Sequence, residues 1–139
     1  MIRIIIAGGR DFNNFDFLKE SVDDVIYKLS RKNWTTGLGK YGVGEWHRVE
    51  FISGMARGAD TLGEIYAMQR DATIHKFPAD WNTYGKSAGY IRNEQMAKHA
   101  IEGNCYGVLI AFWDGKSKGT KHMIDLATKY GLDIYIINY

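Results

Sequence analysis

Strand-like apolar runs alternate with helix-like segments along this chain, and this alternation limits the fold more than any other feature. The clearest run is IRIIIA at residues 2–7, whose consecutive β-branched side chains are typical of a strand buried on both faces. The further runs are residues 47–53, 72–77, 106–113 and 133–138, and the helical segments are residues 15–30, 59–70, 88–101 and 120–131. Because crossover helices join parallel strands, this order predicts an α/β fold: a three-layer Rossmann-like sandwich with a mainly parallel sheet of about five strands.

The length and composition are those of one ordinary globular domain. We expect a single domain at residues 1–139, with a glycine-rich insertion at about residues 32–46. The net charge of +2 argues against a broad basic face that neutralises duplex DNA. Cys105 is the single cysteine, so no intramolecular disulfide can form and a reducing, cytoplasmic setting is expected. No apolar run approaches the roughly 18 residues that span a bilayer, so no membrane partner is expected.

Two stretches imitate phosphate-binding loops without the structural context of such loops. GLGKYG, residues 37–42, matches G-x-G-x-x-G, but extended chain follows where a dinucleotide loop would enter a helix. DWNTYGKS, residues 80–87, ends like a P-loop but has Asp80 in place of the first glycine, where a carboxylate would repel phosphates. We therefore expect neither a dinucleotide fingerprint nor NTP hydrolysis from these two stretches.

The four loops that follow predicted strands carry most of the unusual residues. In an open α/β sheet, ligands bind outside the carboxyl ends of the strands, and these loops meet at that edge. Their glycines allow close backbone approach, their basic side chains attract anions, and Ser87 and Thr120 are predicted to begin helices that could receive phosphate oxygens. The predicted ligand-binding residues are Gly8, Gly9, Arg10, Gly54, Arg57, Gly58, Asp60, Trp81, Lys86, Arg92, Asn93, Gly119 and Thr120. This set suits an anionic, nucleotide-like ligand.

Several of these residues also have a purely structural explanation. Arg10 and Arg57 could each pair with a nearby acid, and the acids in question are Asp11, Asp60 and Asp80. Trp81 and Trp113 could cover the core instead of stacking a nucleobase. The concurrence of four loops at one edge favours the functional interpretation over these alternatives.

Catalytic and metal-binding residues are harder to identify. The four histidines are scattered without metal-ligand spacing, so no metal and no cofactor are expected, and only His122 lies near the predicted site. The carboxylates that could act as an acid or a base are Asp60, Asp80, Glu94 and Asp114. The sequence shows no paired geometry among them, so it leaves open whether the protein is an enzyme.

The ordered motifs AGGRDF, SGMARGAD, FPADWNTYGKSAGYIRNEQMA and GTKHMIDLA resemble the YspA-like family of the SLOG superfamily, over about residues 2–137 except the insertion. That superfamily includes the DprA/Smf DNA-processing proteins and the Lonely Guy phosphoribohydrolases. The resemblance implies a Rossmann-like fold with a site for nucleotides or nucleotide-derived molecules. It places Gly8, Gly9 and Arg10 in the first ligand loop, Gly54 and residues 57–60 in the second, Gly89, Arg92 and Asn93 in an arginine–asparagine helix motif, and Gly119 with Thr120 at the phosphate side.

One departure from the resemblance concerns catalysis. Lonely Guy enzymes have a proline-glycine-glycine loop and a glutamate three residues after the threonine, whereas this chain has WDGKSKGT and Met123. Asp125 lies two residues further on and would point to a different helical face. Phosphoribohydrolase activity is therefore not what this sequence predicts.

Three functions remain open, and the first is favoured. The protein could bind a nucleotide-derived small molecule as a sensor or sequestering module, with phosphates on the basic residues and a base on Trp81 or Trp113. It could instead cleave an N-glycosidic or phosphoester bond in a nucleotide, or bind single-stranded nucleic acid as DprA-type proteins do, with contacts along residues 32–46. The apolar helix positions and the resemblance suggest a homo-oligomer, and the tyrosine- and asparagine-rich composition suits a phage protein.

Overall fold

The structure, a computed structural model, describes residues 1–31 and 49–139, which contain five strands and five α-helices, with at least one helix between each strand and the next. The strands are β1 (Ile2–Gly8), β2 (Val49–Ser53), β3 (Thr73–Lys76), β4 (Tyr106–Trp113) and β5 (Asp133–Asn138). The helices are α1 (Phe15–Arg31), α2 (Ala59–Gln69), α3 (Trp81–Tyr84), α4 (Ala88–Ile101) and α5 (Lys118–Lys129), with 3-10 turns at Gly85–Ser87 and Glu102–Asn104. The predicted insertion and the predicted first two residues of β2 lie outside the described residues.

All the strand pairs are parallel, in the order β3-β2-β1-β4-β5. The longest pairing joins β1 to β4, from Ile2 opposite Tyr106 to Gly8 opposite Phe112. The strand order reverses direction between β1 and β4, so a crevice opens there between the loops at their carboxyl ends, and ligands of open α/β sheets bind in such a crevice.

Helices cover both faces of the sheet and divide the core in two. On one face, α1 and α2 pack alternate strand residues such as Ile4, Ile6 and Phe112. On the other face, α4 and α5 pack the intervening residues, such as Ile5 and Leu109. Burial on both sides explains why β1 and β4 are continuous apolar runs. The predicted α/β three-layer fold with a parallel sheet is confirmed.

Helix α1 has a side-chain cap at its start, and a glycine follows the end of α5. The Oδ1 of Asn14 accepts a hydrogen bond from the Phe17 N–H at 3.0 Å and caps α1. Gly131 lies two residues after the end of α5, and its left-handed backbone, with φ +76°, turns the chain away from the helix. None of the described helices is both long enough and apolar enough to cross a membrane.

Two element predictions are wrong. Residues 79–87 were expected to be a loop, but Asp80 accepts a hydrogen bond from the Thr83 N–H and starts the short helix α3. Helix α5 begins at Lys118, two residues before the predicted start, because the Ser117 hydroxyl caps it by accepting from the Thr120 N–H. Thr120 therefore lies inside the first turn and does not begin the helix.

Candidate functional site

Two adjoining clefts lie at the carboxyl edge of the sheet. The inner cleft, of about 400 Å³, lies between the loops that follow β1 and β4, beside α4 and α5. The outer cleft, of about 350 Å³, lies between the loops that follow β2 and β3. Three residues line both clefts and form their boundary: Arg10, Ala56 and Arg92. Both clefts of the described residues lie at the carboxyl edge of the sheet, where the sequence predicted a ligand site.

Glycines hold the first two loops together at this edge. The Gly9 carbonyl accepts hydrogen bonds from the Phe12 and Ala59 N–H groups, and the Gly9 N–H donates to the Phe112 carbonyl. Gly58, with φ +77°, comes so close that a Cβ on it would lie 2.2 Å from the Gly9 oxygen. The backbone groups of Gly9 are therefore occupied within the protein, so Gly9 and Gly58 shape the site instead of donating to a ligand.

Arg92 and Asn93 connect three of the surrounding elements. The Arg92 Nη1 donates to the Gly54 carbonyl after β2, and its Nε donates to the Asn93 Oδ1 at 3.0 Å. The buried Asn93 amide lies 3.4 Å from the Gly119 carbonyl at the start of α5 and 3.2 Å from the His122 Nδ1. This network fixes the guanidinium of Arg92 at the boundary between the two clefts.

The Arg92 guanidinium lies close enough to that of Arg10 to feel its charge. Burial lowers the pKa of Arg92, and repulsion from Arg10 lowers it further, while Asp60 opposes both effects. Neither Arg10 nor Arg57 forms an ion pair with an acid in residues 1–31 or 49–139, although the sequence had offered Asp11, Asp60 and Asp80 as partners. An anion bound between Arg10 and Arg92 would relieve this repulsion.

Asp60 is the buried acid of the inner cleft. Only 5% of its surface is exposed, and its Oδ2 accepts a hydrogen bond from the Ala56 N–H at 3.3 Å. Burial raises the pKa of Asp60 to about 6, although the charge of Arg92 opposes the rise. Asp60 is therefore a carboxyl that can hold or release a proton near neutral pH.

The other three candidate acids have structural roles. Asp114 lines the inner cleft, but its Oδ1 accepts from the Lys116 and Ser117 N–H groups at 2.8 Å, and these bonds lower its pKa. Asp80 caps α3. Glu94 bonds to Tyr130 and Lys98, which lower its pKa, and lines neither cleft. Asp60 alone of the four combines a place in a cleft with a raised pKa.

Other predicted binding residues divide between the clefts and their surroundings. Arg57 and Trp81 line the outer cleft, and Gly119 and Thr120 line the inner cleft. Thr120 is buried, and the Ser117 hydroxyl occupies its N–H, so little of it remains free for a phosphate. Lys86 lies on an exposed 3-10 turn and lines neither cleft.

The two tryptophans predicted near the edge have different surroundings. The Trp113 indole N–H donates to the Ser117 carbonyl at 3.1 Å, and its ring packs on the core. Trp81 is 51% exposed and stands in the outer cleft. Only Trp81 of this pair is therefore free to stack on a ligand.

Charge is distributed unequally between the clefts. The outer cleft is lined by three guanidiniums, those of Arg10, Arg57 and Arg92, and by no carboxylate among the described residues. The inner cleft has two of these guanidiniums and three acids, Asp11, Asp60 and Asp114. An anionic group is therefore better matched by the outer cleft and the boundary than by the deep end of the inner cleft.

Sequence reasoning missed several residues of this region. Asp11 lines the inner cleft, and its Oδ1 accepts a hydrogen bond from the Tyr139 hydroxyl at 2.6 Å. Met55 lines the outer cleft and has a left-handed backbone with φ +60°. Asp11 belongs to the GGRDF loop and could have been included. No sequence signal links it to Tyr139, which is 128 residues away.

The residue in the place of the Lonely Guy glutamate also reaches the site. Met123 is buried and lines the inner cleft, as the resemblance requires of that helix position. Asp125 is exposed and pairs with Lys121 at 2.6 Å. Of these two residues, only Met123 lines the inner cleft.

Comparisons with known proteins give a sequence relative and a solved structure of similar fold. No family model matches the chain. The chain is 28% identical over 139 residues to the gene 61 protein of Mycobacterium phage D29, covering 96% of this chain and 94% of that protein. It is similar to the X-ray structure of DNA processing protein A (DprA) from Streptococcus pneumoniae, with a TM-score of 0.61 and 18% identity. That match covers 97% of this chain but 49% of the DprA chain, so this chain spans about half the length of that protein and shares a Rossmann-like fold with it.

Proposed function

We propose that this protein binds a nucleotide or a nucleotide-derived small molecule at the carboxyl edge of its sheet, as a sensor or sequestering module. The observation that carries the proposal is the outer cleft, which is lined by Arg10, Arg57 and Arg92 and by no carboxylate among the described residues. Guanidiniums bind phosphate oxygens through paired hydrogen bonds, and a nucleotide supplies both the phosphate and a flat base for Trp81.

The fold and the comparisons support this choice of ligand. The clefts lie at the point where the strand order reverses, which is where open α/β sheets bind their ligands. DprA is a DNA processing protein by description, and the likeness to it agrees with a SLOG-type domain. We place the chain in the YspA-like family as part of this proposal, and the phage relative supports a phage origin. A homo-oligomer and a cytoplasmic location stay predictions.

One observation favours enzymatic turnover as a second candidate. Asp60 lies in the inner cleft with a pKa of about 6, a value suited to general acid or base catalysis near neutral pH. A nucleotide bound at the boundary would extend toward this carboxyl. Turnover that disappears in Asp60→Asn while binding remains would establish this function.

Exposed aromatic rings favour single-stranded nucleic acid as a third candidate. Trp81, Tyr84 and Tyr90 are each about half exposed, at 51%, 47% and 48%, and Trp81 lines the outer cleft together with three guanidiniums. Bases stack on such rings, and phosphates pair with such cations. Binding of this kind predicts a steep loss of affinity with salt, which a small nucleotide with one or two phosphates does not show.

The test is a ligand panel read by thermal stability and mass spectrometry. The purified protein is heated with AMP, ADP, ADP-ribose, NAD, cyclic nucleotides or a short single-stranded DNA, and the small molecules are then analysed. Stabilisation by a nucleotide that is recovered intact supports binding, because a ligand of the folded state raises stability by mass action. Release of a base or a sugar phosphate supports the enzyme, and stabilisation by DNA alone supports the third candidate.

A matched pair of variants links the panel to the clefts. Arg10→Ala removes an exposed guanidinium from the boundary, and Lys86→Ala removes an exposed cation that lines neither cleft. The proposal requires that Arg10→Ala reduce the stabilisation by nucleotide and that Lys86→Ala leave it unchanged. Absence of any nucleotide-dependent shift in the wild-type protein would overturn the proposal.

A further inference from the structure

We propose that Trp81 and Met55 form a nucleobase-stacking subsite in the outer cleft. A bound nucleotide then lies with its base between these two side chains and its phosphate over Arg10 and Arg92. This inference rests on the proposed function, since it assigns an orientation to the ligand of the same site.

Two large apolar side chains stand in this cleft at considerable exposure. Trp81 is 51% exposed and Met55 is 47% exposed, and both line the outer cleft together with three guanidiniums. An exposed indole inside a cationic cleft offers a flat surface to an aromatic ring whose phosphate is held nearby. A thioether complements such a ring, because sulfur contacts aromatic rings favourably.

The backbone of Met55 gives a second, independent observation. Its φ of +60° lies in the left-handed region, which residues with a Cβ rarely adopt and which glycine adopts freely. The Ser53 hydroxyl holds this conformation by accepting the Met55 N–H at 3.0 Å, and it donates to Glu64 at 2.6 Å. The chain thus keeps a side chain at a position suited to glycine, and that side chain lines the cleft.

The position of Trp81 brings the base and phosphate subsites together. A Cβ on Gly89, in the first turn of α4, would lie 3.6 Å from the Trp81 ring and 3.9 Å from the Arg92 Nη2. The indole and the guanidinium therefore approach the same glycine. A base stacked on Trp81 would have its phosphate within reach of Arg92.

The difference in charge between the two clefts determines how the phosphate and the base of the nucleotide are oriented. Asp11, Asp60 and Asp114 line the inner cleft and would repel a phosphate placed deep within it. The described residues of the outer cleft include no carboxylate, so the phosphate stays at the boundary and the base points outward. The base therefore meets Trp81, and not Met123 or Met96 at the inner end.

The experiment compares AMP with ribose 5-phosphate, which has the same phosphate and sugar but no base. Affinities are measured by calorimetry for the wild type, Trp81→Ala, Trp81→Phe and the control Tyr84→Ala. Tyr84 is a suitable control because it is an exposed aromatic residue of α3 that lines neither cleft. We expect Trp81→Ala to weaken AMP binding by at least about five-fold and to leave ribose 5-phosphate within about two-fold. Tyr84→Ala should change neither affinity.

The variant Trp81→Phe distinguishes stacking on the ligand from a purely structural role of Trp81. A phenyl ring retains stacking, so this variant should bind AMP within about three-fold of the wild type. It should nevertheless lose the quenching of tryptophan fluorescence that AMP causes in the wild-type protein.

Three results would overturn the inference. Equal AMP affinity in the wild type and Trp81→Ala would eliminate the base subsite and leave the proposed function intact. Equal weakening of AMP and ribose 5-phosphate would make Trp81 a structural residue. Failure of the wild type to bind either compound would remove the proposed function together with this subsite.

Discussion

Asp60 and Arg92 bring opposite charges together beside one glycine, Gly54. A Cβ on Gly54 would lie 2.8 Å from the Asp60 Oδ2 and 2.8 Å from the Arg92 Nη1. Glycine at this position lets the buried acid and the guanidinium approach the boundary of the two clefts together. Changes to either side chain should therefore alter both stability and binding, in ways that can be separated.

The raised pKa of Asp60 predicts a pH dependence of stability. The pKa is about 6 in the fold against an ordinary 3.8, so the folded protein holds this proton more tightly than the unfolded chain. The stabilisation that this proton gives is fully present below about pH 4 and is lost as the pH rises through about 6. The free energy of unfolding should fall by about 3 kcal/mol over this range. Asparagine has no carboxyl group to titrate, so the free energy of unfolding of Asp60→Asn should not show this loss.

Urea denaturation of both proteins across about pH 4 to pH 8 measures this effect. The free energy of unfolding of the wild type, minus that of Asp60→Asn, should fall with rising pH. A difference that stays constant over this range would show that Asp60 has an ordinary pKa.

Arg92 and Arg57 should separate structural and ligand-binding roles. Arg92→Ala removes the donors to Gly54 and Asn93 and should lower the free energy of unfolding by about 2 kcal/mol, as well as abolish nucleotide binding. Arg57→Ala removes an exposed side chain with no hydrogen bond or ion pair to the rest of the described chain. We expect it to weaken nucleotide binding and to leave stability within about 0.5 kcal/mol. Chemical denaturation with and without AMP distinguishes the two variants, and equal stability losses would contradict this assignment.

Two of the predicted binding glycines should respond oppositely to alanine. Gly58→Ala places a Cβ 2.2 Å from the Gly9 oxygen at a φ of +77° and should cost at least about 2 kcal/mol of stability. Gly119→Ala meets no atom within 4 Å in the first turn of α5 and should stabilise that helix by up to about 1 kcal/mol. Thermal denaturation of the two variants is the measurement. A larger loss for Gly119→Ala than for Gly58→Ala would be inconsistent with the described loop packing.

Met55→Gly tests whether the side chain of this strained residue contributes to nucleotide binding. Glycine relieves the left-handed strain but adds freedom to the unfolded chain, so the free energy of unfolding should stay within about 1 kcal/mol of the wild type. Nucleotide affinity should fall, because one side of the outer cleft is removed. Unchanged affinity, measured by calorimetry at matched stability, would mean that Met55 has no contact with the ligand.

The sequence predicted the main strands and helices well, because strands that are buried on both faces can be recognised as apolar runs. The β1 and β4 runs are apolar except for Arg3, and helix α4 was predicted with its observed bounds, Ala88–Ile101. The short helix α3 was missed because Asp80, Asn82 and Gly85 are also common in turns.

The site was harder to predict, because its details depend on contacts between distant residues. The strand-exit loops and the first turns of α4 led the sequence prediction to group Arg10, Asp60 and Arg92, and all three line the inner cleft. It could not show that the N–H of Gly9 is occupied or that Lys86 lies outside both clefts. The left-handed backbone of Met55 gave no sequence signal either, because methionine is not a residue expected at such positions.

Binding of a nucleotide at the boundary of the two clefts can be followed residue by residue in an NMR titration. Amide resonances of ¹⁵N-labelled protein are followed while ADP is added. We expect saturable shifts for the loops at residues 8–11, 54–57 and 78–81 and for Arg92 in α4. Shifts confined to other surfaces, or no shifts at saturating ADP, would contradict binding at this boundary.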